Sequence, residues 1–151
     1  MTILTIDPGT ITGWACQHDG EVSTGTFNLT PRRGDGAGIR FLRLQRCLDE
    51  MKTNLGGIDR LVYELPGHFK SAAAADCING LVAHIQSWCE RSNVPCEAVA
   101  PTQIKKFATG NGNAKKPAVL AAGQLRWPDI TDHNTMDARW LLELVVSEIA
   151  Y

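Results

Sequence analysis

Three acids stand where a carboxylate needs a reason. Asp7 closes the apolar run Ile3-Leu4-Thr5-Ile6 and is followed by Pro8-Gly9, and Glu64 closes Leu61-Val62-Tyr63. A carboxylate at the end of a buried strand is costly unless it is paired or bound to a cation. If the two strands are parallel neighbours, both acids emerge at one carboxyl edge of a sheet, where sites in α/β proteins lie. Two like charges there call for a metal ion between them. Asp137 is the third, since its helical spacing to Leu141 and Leu144 turns it toward the sheet and away from water. Three carboxylates from distant segments are hard oxygen ligands of the kind magnesium or manganese takes, with positions left for water and phosphate.

A second constellation is basic. The net charge is −1, but it is unevenly distributed along the chain. From Leu29 to Leu48, Arg32, Arg33, Arg40, Arg43 and Arg46 face only Asp35. From Ala98 to Pro128 there is no acid, while Lys105, Lys106, Lys115, Lys116 and Arg126 carry +5. Such stripes are the electrostatic footprint of a phosphate backbone. The two lysine pairs bracket Gly110-Asn111-Gly112, whose glycines let backbone come close to a phosphate. Arg40, Arg43 and Arg46 line the polar face of a helix and are a further candidate DNA contact. Phe69, in the irregular stretch Pro66 to Lys70, is an aromatic beside a cation that can stack on an exposed base. Trp14, Trp88, Trp127 and Trp140 are read as packing residues.

The elements that must position these groups follow from the hydrophobic pattern. Ile3–Ile6, Thr12–Gln17 and Glu21–Leu29 read as strands, the last two joined by the hairpin signal His18-Asp19-Gly20. A helix is expected over Ile39–Leu55, with Leu44, Leu48, Met51 and Leu55 inward. A strand follows over Asp59–Leu65, then a helix over Ser71–Arg91 with the stripe Ile78, Leu81, Val82, Ile85, Trp88 and Cys89. Cys96–Ala100 reads as the last strand. Two helices are expected after it, interrupted at Gly110-Asn111-Gly112 and Trp127-Pro128, the final one from about Asn134 to Ile149. The order βββαβαβαα predicts a five-stranded mixed α/β sheet, three antiparallel strands then two parallel, with helices on both faces.

Composition agrees with one domain over residues 1–151. At 151 residues, 44% of them apolar and 21% charged, a chain buries roughly two-thirds of its unfolded surface without staples. The five cysteines are odd in number and show neither CxxC nor CxxH spacing, which leaves zinc clusters and redox dithiols without support. Free thiols fit a reducing, cytoplasmic setting. The first residues lack the basic-then-apolar order of a secretory signal. No apolar run approaches the ~20 residues of a membrane span, so no membrane partner is expected.

A first strand ending in Asp7-Pro8-Gly9 and turning into Thr12-Gly13-Trp14-Ala15, a glutamate ending the fourth strand, and Asp137-Ala138 opening the last helix resemble the RuvC family of Holliday junction resolvases. The stretch from Pro101 to Lys116 resembles the family's lysine pair followed by a glycine-x-glycine-x-alanine-x-lysine segment. The resemblance runs along almost the whole chain and implies a ribonuclease H-like fold. It also implies a homodimer that binds branched DNA, four-way junctions first and flaps or three-way junctions in the same class. The implied chemistry is in-line phosphodiester hydrolysis with two magnesium or manganese ions per site, leaving 5′-phosphate and 3′-hydroxyl ends. Asp7, Glu64 and Asp137 would be both catalytic and metal-ligating. Lys105, Lys106, Lys115, Lys116, Phe69, Arg40 and Arg43 would meet DNA.

At one position the sequence departs from the family. The fourth ligand, an aspartate or histidine three residues before the last aspartate, is here Asn134, with His133 and Asp132 beside it. His133 is favoured as the fourth catalytic contributor, because i−4 shares the face of Asp137. Asp132 and Asn134 are the remaining candidate ligands, Asn134 at i−3 on the same face and Asp132 with a helix N-cap as its other role. Two rival readings stay open: a branched-DNA-binding protein without catalysis, and an actin-like ATPase fragment using Asp7-Pro8-Gly9-Thr10 as a phosphate loop.

Overall fold

The computed structural model of the chain describes residues 1–150; Tyr151, the last residue of the expected domain, lies outside the described residues. The chain begins with β1 (Ile3–Asp7), β2 (Ile11–His18) and β3 (Glu21–Asn28). Each is antiparallel to the one before it. Asp19 and Gly20 turn the β2–β3 hairpin with φ of 50° and 82°, the left-handed pair that a two-residue turn requires. Helix α1 (Ile39–Leu55) then crosses to β4 (Arg60–Glu64), and α2 (Ala72–Ser92) crosses to β5 (Cys96–Val99). β4 pairs parallel with β1, and β5 parallel with β4, so the sheet order is β3-β2-β1-β4-β5.

Three helices, not the expected two, follow β5: α3 (Pro101–Thr109), α4 (Lys116–Gln124) and α5 (His133–Ile149). The reason is local. Gly110 takes φ +82° and ends α3 in a left-handed cap, and a fresh helix starts at Lys116-Pro117, proline being tolerated in a first turn. The interruption read from the glycines therefore separates two helices that the expected order had merged.

Period-two alternation divides the sheet residues between two cores. Leu4, Ile6, Cys16, Leu61 and Tyr63 face α1 and α2, meeting Leu44, Leu48, Leu81, Ile85 and Trp88. Ile3, Ala15 and Val62 face the other way, against Ile104, Val119, Met136, Leu141 and Leu142 of α3, α4 and α5. The buried Thr5 hydroxyl donates to the Ala138 carbonyl at 2.7 Å, tying α5 to the middle of the sheet. All five cysteines are free. Among the described residues no helix is long and apolar enough to cross a membrane.

Candidate active site

The register of the sheet brings the first two acids together. Ile6 pairs with Tyr63 across the parallel β1–β4 ladder, so Asp7 and Glu64 are the next pair. Both follow the alternation of Thr5 and Val62 onto the α5 side of the sheet. From α5, Asp137 reaches the same point. One oxygen from each of the three carboxylates can be chosen so that all lie within 4.8 Å of one another, each side chain half-buried. They open into a cavity of about 280 Å³ that Lys105, Lys116, Ile104, His68 and Phe69 also line.

The electrostatics are those of negative charge crowded into low dielectric. Burial is the largest cause of the rise in Asp7, whose carboxyl is held well above the ordinary range, followed by the facing Glu64 and Asp137 charges. Burial also raises Glu64, against the opposing pull of its hydrogen bond with Asp7 and of Lys105 and Lys116. Asp137 is pushed up to about 7, again by burial first and then by Glu64, while the two lysines lower it. Desolvation and mutual repulsion thus disfavour the triple anion. A divalent cation relieves both at once, and three half-buried carboxylate oxygens with no sulfur or imidazole in the group suit a hard ion such as magnesium or manganese.

The four lysines are not equivalent. Lys105, one residue after buried Ile104, lines the cavity, while Lys106, about 100° further round α3, is exposed and does not. Lys116 lines it too, and Lys115, the N-cap of α4, does not. A sequence reading could have separated Lys105 from Lys106 by helical phase alone. His68 was missed altogether, because a loop histidine carries no periodic signal.

At the head of α5, Asp132 is the N-cap: its Oδ2 accepts the Thr135 backbone N–H and the Thr135 hydroxyl, both at 2.9 Å. It stands outside the three-carboxylate group, although its charge contributes to raising Asp137. His133 is exposed, and neither it nor Asn134 lines the cavity. Phe69 is at the cavity wall with 39% of its surface exposed. Arg40 donates its Nε–H to the Ala37 carbonyl, and Arg43 is held by the Thr30 carbonyl at 2.7 Å and by Asp35 at 2.8 Å. Trp88 and Trp140 are buried, and Trp14 and Trp127 pack partly buried against the two cores.

Sheet order, crossovers and helices on both faces define a ribonuclease H-like fold of the RuvC type. Thermus thermophilus RuvC in complex with a Holliday junction substrate is similar over 93% of this chain and 89% of that one, with a TM-score of 0.73 at 18% identity. A second Thermus thermophilus RuvC structure is similar over 95% and 96%, with a TM-score of 0.67 at 16% identity. The yeast mitochondrial Holliday junction resolvase Ydc2 is similar over 91% and 74%, with a TM-score of 0.61 at 14% identity. No protein-family model and no curated protein matches the sequence.

Proposed function

We propose that the protein is a structure-selective endodeoxyribonuclease, a single nuclease domain that cuts four-way junctions and related branched DNA. The observation that carries this reading is the meeting of Asp7, Glu64 and Asp137 in one cavity with Lys105 and Lys116. Three carboxylates alone would repel a phosphodiester. The same three with two ammonium groups on the cavity wall suit a site that takes both a cation and a phosphate.

Asp7, Glu64 and Asp137 would hold magnesium or manganese, which when bound supplies Lewis-acid neutralisation of phosphate charge and a more acidic water. Lys105 and Lys116 bind the non-bridging oxygens and orient the phosphorus for in-line attack. Water adds to phosphorus as the 3′ oxygen leaves, giving 5′-phosphate and 3′-hydroxyl ends. Phe69 stacks on a base opened at the branch point. Two opposed nicks on a four-way junction require two sites related by a twofold, which a symmetric dimer supplies. The junction-resolvase fold of the similar structures supports the choice of substrate. His133 and Asp132 have no part in this reading of the chemistry.

The test is incubation of the protein with end-labelled four-way, flap and linear duplex DNAs, with and without magnesium. Magnesium-dependent nicking of the branched DNAs, with the linear duplex spared, is expected. Tight junction binding with no nicking under any divalent cation would favour a binding protein instead.

A further inference from the structure

A second cavity, of about 490 Å³, lies between the end of β3 and α1, lined by Asn28, Thr30, Arg32, Arg43, Arg46 and Cys47 and also by Pro31 and the acid Glu50. We propose that it is a phosphate-binding site for the duplex arm of a branched DNA whose scissile strand lies at the carboxylates; this rests on the nuclease reading above.

Its charge is poised for an anion. Asp35 is occupied, accepting from the Arg43 guanidinium at 2.8 Å and from the Arg32 backbone N–H at 2.7 Å. Arg32 and Arg46 have no ion-pair partner among the described residues, and both are exposed. Asn28 Oδ1 accepts the Thr30 backbone N–H at 3.1 Å, which leaves the amide's own N–H donors free for an oxyanion. Glu50 is the one opposing charge, one helical turn beyond Arg46 along α1.

Its position fits the same arm of DNA. β3 runs parallel in direction to β1, since each is antiparallel to β2, so Asn28 and Asp7 end their strands at one edge of the sheet. The Leu29 N–H donates to the Thr10 carbonyl at 2.8 Å, joining the lip of the cavity to the turn that follows Asp7. Two strand spacings separate β3 from β1, roughly 10 Å, or about three base-pair steps of duplex rise. The carboxylates stand on the α5 side of the sheet and α1 on the other, so the backbone of an arm that enters the carboxylate cavity would pass over this shared edge to reach the arginines.

The experiment measures affinity for a labelled four-way junction in EDTA across a salt series. Arg32→Ala with Arg46→Ala should weaken binding and lower the log-log salt slope by about two. Arg60→Ala should leave it unchanged, because Arg60 opens β4 at the opposite edge, paired with Glu97. Alkylation of Cys47 should slow when junction DNA is bound, with Cys96, at the opposite edge, as the unprotected reference. An unchanged slope in the double variant, or Cys47 alkylated at the same rate with and without DNA, overturns the proposal even if wild type binds and nicks the junction. A wild type that binds no branched DNA overturns the nuclease reading itself.

Discussion

The Asn134 carbonyl of α5 lies so close over Gly13 of β2 that a Cβ at residue 13 would stand 1.8 Å from its oxygen. Only a residue without a side chain lets the start of α5 come down on the sheet there, and Asp137 sits one helical turn further on. The carboxylate site thus depends on a glycine that is also the cross-strand partner of Asp7 in the β1–β2 ladder.

Gly13→Ala should therefore destabilise the protein by about 1–3 kcal/mol, as an overpacked contact that backbone shifts only partly relieve. Nicking should fall by more than junction affinity, because Asp137 moves with α5. Urea denaturation beside the two assays checks this; unchanged stability would contradict the contact.

Asp137 gives the metal-free protein a defined pH response. Its folded value of about 7 lies above the ordinary 3.8, so the folded state holds this proton more tightly than the unfolded one. That contribution is full below about pH 4 and is lost as pH rises through about 7. Urea midpoints without metal should fall across this window, Asp137→Asn should flatten the fall, and magnesium should oppose it. A midpoint that rises through the window in the metal-free protein would contradict the placement of Asp137.

The lysines should separate into two kinds. Lys105→Ala and Lys116→Ala remove cations from the cavity wall and should lower turnover at saturating DNA by on the order of 10²-fold. Lys106→Ala and Lys115→Ala should spare turnover and flatten the salt dependence of binding by about one each. Equal effects of all four on turnover would remove the distinction.

Asp132→Ala should cost about 0.5–2 kcal/mol through the lost cap on Thr135, with activity per folded molecule largely kept. His133→Ala, at an exposed position outside the cavity, should nick at close to the wild-type rate. Thermal denaturation and turnover measured on the same samples distinguish a cap from a ligand.

Much of the site was legible because periodicity carried it. Two apolar strands each ending in an acid need only be parallel neighbours in register for Asp7 and Glu64 to meet, and the inward face shared with Leu141 and Leu144 brings Asp137 over them. The five strands were legible for the same reason. Long-range contacts were not. The close approach of Asn134 to Gly13 is a tertiary fact with no local pattern. The capture of Arg43 by Asp35 depends on how residues 30 to 38 fold back, so an arginine row that reads as a uniform polar face is divided by the structure into engaged and free members. The same holds for His133: helical phase brought it to the face of Asp137, but as the first residue of α5 it lies at the exposed end of that face.

The most direct measurement compares Asp7→Asn and Glu64→Gln with wild type for magnesium-dependent nicking of a four-way junction, with folding and junction affinity recorded on the same samples. Each substitution keeps side-chain shape and removes one negative charge from the group of three. The predicted result is loss of nicking in both variants with the fold and junction binding retained. Near wild-type magnesium-dependent rates in either variant would contradict the assignment of these carboxylates as the site of cleavage.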